Sequence, residues 1–135
     1  VAALLPHVSA FLPNREEAVG VTGGEEGDDE SAAAALLELG AQRVIVKRGA
    51  DGALLAGPGE RATCPAPSVR VQDTVGAGDT FNAGLLAALA RGMTWAEALA
   101  PAVNAAALAI ASQPRRYPTW AEVASAARQP LSVTK

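Results

Sequence analysis

The sequence is poor in aromatic residues, cysteine and histidine, and each scarcity excludes a class of structure. Two phenylalanines, two tryptophans and one tyrosine are the only aromatic residues among 135, so the core must rest largely on alanine and leucine in closely spaced helices. Cys64 is the only cysteine, which excludes an internal disulfide and is compatible with a reducing compartment. His7 is the only histidine, and we interpret it as a surface or packing residue.

Long apolar runs and an excess of positive charge are also missing. No run approaches the roughly 20 apolar residues of a membrane span, and residues 1–5 are too short for the apolar core of a signal peptide. The formal net charge is −3, and no basic face is evident for a nucleic-acid partner. We therefore expect a cytoplasmic protein that binds neither nucleic acid nor membranes.

The pattern of apolar residues predicts an α/β fold, and the length is that of one domain with its own core. Residues 44–46 form a continuous apolar strand, as in a sheet covered on both faces. Residues 10–12 are a second candidate strand. The turns at residues 49–52 and 57–60 predict a meander of strands over residues 53–56 and 61–64. Helices are predicted over residues 31–39 and 77–91, and after the capping residues Asn14, Thr94 and Thr119.

Residues 73–84 read Asp-Thr-Val-Gly-Ala-Gly-Asp-Thr-Phe-Asn-Ala-Gly and form the most informative stretch of the chain. A β-prone run, residues 69–72, leads into this glycine-containing turn, and a long helix follows. The N–H groups of Gly76, Ala77 and Gly78, together with the positive end of that helix, predict a site for an anion such as phosphate. Asp79 could take a proton there. Phosphoryl transfer to an alcohol requires both an anion site and a base.

Other glycine motifs do not fit, but one alternative stays open. No Gly-Lys-Ser/Thr occurs, which excludes the nucleotide P-loop, and Phe81 stands where the dinucleotide fingerprint needs its third glycine. The alternative is that Asp79 only caps a helix after a glycine turn.

This stretch resembles the C-terminal signature of the ribokinase-like (PfkB) carbohydrate kinases, and three further segments agree in the same order. Residues 12–18, Leu-Pro-Asn-Arg-Glu-Glu-Ala, resemble the family's Asn-x-x-Glu motif. Residues 44–55 resemble its strand, turn and strand beside the nucleotide, and residues 104–107 resemble the helix that borders the adenine. The resemblance implies a ribokinase-like open α/β sandwich. It covers nearly the whole chain.

The kinases of this family are longer, and the resemblance matches only their C-terminal half. Nothing in the chain resembles the N-terminal half with its sugar-binding residues and β-rich lid. We therefore expect residues 1–135 to be one partial domain, the nucleotide-binding and catalytic half. A start at Val1 rather than Met agrees with this expectation.

In the resembling family, the signature carries the catalytic groups. The resemblance implies that Asp79 is the general base and that the amides of Gly76, Ala77 and Gly78 hold the anionic transition state. It also implies that Asn14 and Glu17 organise Mg²⁺, partly through water. The spacing of Asn14 and Glu17 is equally that of a capping box, and both roles can coexist.

The resemblance implies the remaining site residues as well. Those on the nucleotide side are Lys47, Gly49, Ala50, Asp51, Gly52 and Asn104. Lys47 replaces a residue that is often threonine, so it either contacts phosphate or points to solvent, and Pro101 could displace Asn104. Asp73 and the carbonyl of Val75 resemble a monovalent-cation (K⁺) site, although the usual Gly-Ala pair is missing from residues 112–118. Alternatively, Asp73 caps the turn.

Two classes of function remain after these observations. The first is an ATP-dependent, Mg²⁺-using kinase for a sugar or sugar acid, with a nucleoside or vitamin alcohol as the other possible acceptor. The second is a non-catalytic half-domain that binds nucleotide or a protein partner. We expect the chain alone to be inactive, and we expect it to form a homo-oligomer or to associate with the missing half.

Overall fold

The computed structural model describes residues 1–25 and 27–128, and the chain divides into two compact units. Unit 1 comprises residues 1–64 and unit 2 begins at Pro65. The prediction that residues 1–135 form a single domain is not decided by this division and stays a prediction.

Unit 1 packs two helices with a three-stranded sheet. After a 3-10 helix, Ala2–His7, its elements are α1 (Arg15–Thr22), α2 (Asp29–Glu38), β1 (Val44–Lys47), a 3-10 turn (Gly49–Asp51), β2 (Ala53–Gly57) and β3 (Glu60–Cys64). The sheet order is β1-β2-β3 and both pairings are antiparallel. The predicted strand 44–46 and the predicted meander are confirmed.

The segment before α1 lies along the free edge of β1, but it forms only isolated parallel bridges. Phe11 pairs with Val44, and Asn14 pairs with Lys47. The prediction of a strand over residues 10–12 was therefore too strong. Pro13 gives the physical reason, because it follows Phe11 at the position where the ladder needs the next N–H donor and proline has none.

The core of unit 1 joins the helices to one face of the sheet. Its buried members are Leu5, Ala18, Ala32, Ala33, Leu36, Ala41, Val44, Val46 and Leu54. Ile45 and Leu55, which alternate with these residues along the strands, are also fully buried. Burial on both sides of β1 and β2 agrees with the continuous apolar run of the sequence.

Unit 2 is built from three helices, α3 (Ala77–Ala90), α4 (Trp95–Ala111) and α5 (Trp120–Arg128). Helices α3 and α4 approach closely at Gly84, where a Cβ would lie 2.8 Å from the Cβ of Ala105 and 3.0 Å from the carbonyl oxygen of Pro101. Pro101 lies inside α4, which continues to Ala111. Proline therefore does not end this helix.

The β-prone run 69–72 does not form a strand in the structure. The N–H groups of Gln72 and Asp73 donate to the carbonyl oxygen of Ile110 at the end of α4, at 2.7 and 3.2 Å. Among the described residues of unit 2 no strand exists for this run to pair with. Strand propensity has no effect without such a partner.

The capping predictions agree with the structure at three helix starts. Asn14 and Thr94 form capping boxes with Glu17 and Glu97, and the Thr119 N–H donates to Glu122 while the Glu122 N–H donates to the Thr119 hydroxyl. Within the described ranges, none of the helices has the length and apolar character to cross a membrane.

Candidate active site

The start of α3 is fixed by a glycine in a left-handed conformation. Gly76 is the N-cap residue, with φ 80° and ψ 5°, a backbone conformation that side chains disfavour. Its carbonyl oxygen accepts two hydrogen bonds from Thr80, one from the backbone N–H and one from the hydroxyl, both at 2.9 Å. Thr80, which is buried, thus stabilises the turn through the carbonyl oxygen of Gly76.

The N–H groups at this helix start are only partly engaged. The Ala77 N–H donates to the carbonyl oxygen of Thr74 at 3.2 Å. The N–H groups of Gly78 and Asp79 have no acceptor among the residues that the structure describes, as expected in the first turn of a helix. Two unpaired donors at the positive end of α3 are suited to an anion.

Asp79 lies in the first turn of α3 and is exposed. It lines a cavity of about 390 Å³ together with Thr80, Ala83, Gly84, Ala87, Ala105, Tyr117, Pro118, Trp120 and Val123. In the described part of the chain its carboxylate accepts no hydrogen bond and forms no ion pair. The group is therefore free to accept a proton from a molecule in the cavity.

Asp73 holds the turn that precedes the glycines. Its Oδ1 accepts a hydrogen bond from the Val75 N–H at 2.9 Å, so the side chain caps the turn. Its Oδ2 faces Nη1 of Arg115 at 3.9 Å. Both carboxylate oxygens thus have neighbours within unit 2.

The side chain of Arg115 reaches the helix start itself. A Cβ at Gly76 would lie 3.2 Å from Arg115 Nη2 and 3.9 Å from the Tyr117 hydroxyl. The missing side chain of glycine therefore leaves room for a guanidinium beside the unpaired N–H groups. Sequence reasoning did not anticipate this neighbour.

In unit 1, Asn14 and Glu17 cap α1 reciprocally. Asn14 Oδ1 accepts from the Glu17 N–H at 2.8 Å, and Glu17 Oε2 accepts from the Asn14 N–H at 2.9 Å. Both side chains are exposed. The second carboxylate oxygen, Glu17 Oε1, accepts no hydrogen bond within the described ranges.

The nucleotide-side candidates lie close to this cap. The bridge between Asn14 and Lys47 places the end of β1 beside the start of α1, and the turn Gly49–Gly52 follows directly. Its backbone is closed by bonds from Gly52 N–H to Gly49 and from Arg48 N–H to Gly52. Gly49 has φ 57°, and a Cβ there would meet nothing within 4 Å. The turn thus presents bare backbone at Gly49.

Arg15, the first residue of α1, connects that helix to α2 and to the turn at residues 49–52. It donates to both carboxylate oxygens of Asp29 at 2.9–3.2 Å, to Asp51 Oδ2 at 2.8 Å and to the carbonyl oxygen of Arg48 at 3.3 Å. These bonds, first that with Asp29, raise the pKa of Arg15 above its ordinary value. A bidentate guanidinium of this kind fixes orientation as well as charge.

Asn104 is buried within α4, with 6% of its surface exposed. It lies in unit 2, whereas Lys47 and the turn 49–52 lie in unit 1. Unit 1 thus brings together Asn14, Glu17, Lys47 and the turn.

Unit 2 brings together Asp73, Val75 and the turn from Gly76 to Asp79. The residues that sequence reasoning missed are Arg15, Thr80, Arg115 and Tyr117. The only available signal was the spacing of Thr80, four residues after Gly76.

Comparison with protein families gives a match over most of the chain. The family described as pfkB family carbohydrate kinase matches residues 1–121. A 1-phosphofructokinase of Haloferax volcanii is 40% identical over 114 residues, which are 82% of this chain and 37% of the relative.

Solved structures agree with the sequence comparison. A ribokinase of Arabidopsis thaliana, complexed with ribose and ATP, superposes with a TM-score of 0.87 at 30% identity and covers 96% of this chain. A putative ribokinase II of E. coli, in complex with ATP and Mg²⁺, gives 0.79 at 28% identity over 93% of this chain. The chain spans 44% and 41% of those two structures, so it corresponds to less than half of a ribokinase-fold chain.

Proposed function

Because the chain belongs to the pfkB family of carbohydrate kinases, we propose that it forms the nucleotide-binding and catalytic part of an ATP-dependent kinase. The reaction is phosphoryl transfer from ATP to a sugar hydroxyl. The observation that carries this proposal is the start of α3, where two unpaired N–H donors and an unpaired carboxylate occupy a single helical turn.

Asp79 acts as the general base. As the acceptor oxygen bonds to the γ-phosphorus, its proton passes to the Asp79 carboxylate while the bond from phosphorus to the bridging oxygen of ADP breaks. The exposure of Asp79 at the wall of a cavity of about 390 Å³ supports this role, because an acceptor can approach it. Proton transfer of this kind contributes roughly 10²–10⁴-fold to a rate.

The amides at the helix start stabilise charge on the transferred group. The turn from Gly76 to Asp79 presents the N–H groups of Gly78 and Asp79, whereas the Ala77 N–H is engaged by Thr74. Removal of one such donor costs about 3–4 kcal/mol of transition-state stabilisation in other enzymes. Thr80 holds the donors in place through the carbonyl oxygen of Gly76.

Unit 1 supplies the nucleotide side. The turn from Gly49 to Gly52 follows shortly after Lys47, which ends β1. It offers bare backbone to ATP at Gly49, and Ala50 and Asp51 are exposed within it. Asn104 stays a proposed nucleotide-side residue on the family resemblance alone, since it is buried within α4.

The Mg²⁺ that the family implies fits the donors at the start of α1. Glu17 retains one carboxylate oxygen beyond the capping box, and Asn14 Oδ1 retains a lone pair. A set of one carboxylate, one amide oxygen and water is a donor set that Mg²⁺ accepts. When bound, Mg²⁺ neutralises charge on the phosphates.

The proposed acceptor is a sugar or sugar acid. Its support is the set of relatives that are named for phosphofructokinase and ribokinase activity. A riboside is the second candidate, because an aminoimidazole riboside kinase of Salmonella enterica superposes with a TM-score of 0.81.

The test measures sugar phosphorylation by a protein that is as long as the relatives and contains this 135-residue segment. Asp79→Asn is expected to abolish sugar phosphorylation while ATP affinity changes no more than a few-fold, because only the chemical step needs the proton acceptor. Glu38→Gln, which removes an exposed carboxylate at the end of α2, serves as the matched control and should turn over normally.

A variant that keeps more than about a tenth of the activity would contradict the assignment of Asp79 as the general base. The 135-residue chain by itself is expected to show no turnover. An ordinary kinase rate of roughly 1–100 s⁻¹ from the isolated chain would contradict that expectation.

A further inference from the structure

Residues 112–118, which follow α4, place a fixed positive charge at the start of α3. Arg115 Nη2 would lie 3.2 Å from a Cβ at Gly76, and Arg115 Nη1 lies 3.9 Å from Asp73 Oδ2. A guanidinium remains protonated at any physiological pH. The glycine turn thus has a permanent cation built into the chain.

The same two contacts bear on the monovalent cation that the family resemblance implies. Such an ion would need an oxygen of Asp73 as a ligand. Asp73 Oδ1 already accepts the Val75 N–H at 2.9 Å, and Oδ2 faces the guanidinium. A K⁺ ion on Oδ2 would be repelled at short range by Arg115, so these residues do not fit the ion.

We propose that Arg115 is a positioning residue that replaces a monovalent cation in this chain. Through Asp73 it holds the Asp73–Val75 turn, and with it the unpaired N–H groups that follow Gly76. The proposal deepens the proposed function, since the turn is the same one. Its consequence is that the turn needs no K⁺.

Arg116 provides a matched control within the same segment. Its guanidinium donates two hydrogen bonds to Glu122, at 2.7 and 3.1 Å. It therefore contacts the first turn of α5. Removing Arg116 deletes the same charge from the neighbouring position without emptying the space beside Asp73.

The experiment uses the 135-residue chain and measures cation binding rather than turnover. Thallium(I), a K⁺ substitute, is followed by ²⁰⁵Tl NMR, and the midpoint of thermal unfolding is compared in KCl and in N-methylglucamine chloride at equal ionic strength. Wild type is expected to give no bound-thallium signal and equal midpoints in both salts. Arg115→Met should acquire both a saturable thallium signal and a higher midpoint in KCl.

Two control variants distinguish the loss of the charge beside Asp73 from a general effect of substitution in this segment. Arg116→Met and Arg115→Lys are both expected to behave like wild type towards cations, since each leaves a positive charge beside Asp73. Saturable thallium binding to wild type would overturn the proposal. So would an Arg115→Met variant that stays folded but responds to neither thallium nor KCl, or an Arg116→Met variant that responds as strongly as Arg115→Met.

Each outcome is independent of the kinase proposal, because none of these readouts requires a sugar or ATP. Failure of Arg115→Met to fold leaves the wild-type and Arg115→Lys measurements to decide, since bound thallium in either contradicts a built-in cation.

Discussion

Glu122 engages two groups at the start of α5. Its carboxylate accepts hydrogen bonds from the Arg116 guanidinium and from the Thr119 N–H, the latter at 2.7 Å. These bonds, with the Arg116 contribution largest, lower the pKa of Glu122 from 4.5 to about 2. The Glu122 carboxylate thus takes part in both the helix cap and an ion pair.

The depressed pKa predicts an acid-sensitive helix. In the unfolded chain Glu122 takes up its proton near its ordinary pKa of 4.5, whereas in the folded chain it does so near 2. Its stabilising contribution is therefore complete above about pH 4.5 and is lost progressively as the pH falls towards 2. Circular dichroism during thermal unfolding at pH 6 and pH 3 measures it.

Glu122→Gln should lower the midpoint at pH 6 and reduce the further fall at pH 3. Glu38→Gln, at an exposed position on α2, should retain the full acid dependence of wild type. An identical pH profile for wild type and Glu122→Gln would mean that this carboxylate contributes nothing to stability.

Some contacts of single residues could be predicted from the sequence, and others could not. The pairs Asn14 with Glu17 and Thr94 with Glu97 were predictable because a capping box lies within four consecutive residues. Arg15 and Arg115 were not, because their partners Asp51 and Asp73 are 36 and 42 positions away along the chain. Nothing in the local sequence specifies such contacts.

At the scale of elements, the approach of α3 to α4 depends on a glycine in mid-helix. A Cβ at Gly84 would lie 2.8 Å from Ala105 Cβ and 3.1 Å from Ala102 Cα. Closer approach of two helices increases the dispersion contacts between them. The glycine, which by propensity weakens a helix, is therefore explained by packing.

Gly84→Ala should destabilise the chain by roughly 1–3 kcal/mol, because the added methyl group overpacks the crossing. Gly20→Ala is the matched control, since a Cβ at Gly20 in α1 would meet nothing within 4 Å and alanine favours the helix by about 1 kcal/mol. Urea unfolding of both variants measures the two effects. A stabilised Gly84→Ala would show that the helices separate at no cost.

The elements that sequence reasoning predicted poorly are those that need a distant partner. Residues 69–72 have strand propensity, but their backbone bonds to the end of α4 instead. Residues 10–12 lie beside β1, where Pro13 interrupts the ladder. The strand 44–46 and helix α3 were predicted well because burial periodicity and glycine boundaries are local signals.

At the scale of the whole molecule, exposed apolar side chains support the prediction of self-association. Leu86 on α3 is 64% exposed and Val75 is 69% exposed. The sheet contributes little to this prediction, because edge strand β3 carries Glu60 and Arg61, and charged residues discourage strand addition. Val1 and Leu4 of unit 1 are similarly exposed, at 70% and 65%. We therefore expect exposed apolar side chains, Leu86 among them, to contribute to association.

Light scattering at micromolar concentration measures this directly. Wild type should be larger than a monomer, and Leu86→Lys should shift it towards the monomer. Ala34→Lys, which adds the same charge at an exposed position of α2, should leave the association unchanged. A monomeric wild type would contradict the prediction.

Calorimetric titration of Mg·ATP into the 135-residue chain is the most direct test of the nucleotide-binding role. We expect saturable binding of one ATP per chain, weakened by Gly49→Ala and not by Gly59→Ala. Both glycines have positive φ, 57° and 68°, and a Cβ at either would meet nothing within 4 Å, so the two variants carry a similar backbone cost. Only Gly49 belongs to the proposed nucleotide turn. Absence of ATP binding, or equal weakening by the two variants, would contradict the assignment of this chain to the nucleotide side of a kinase.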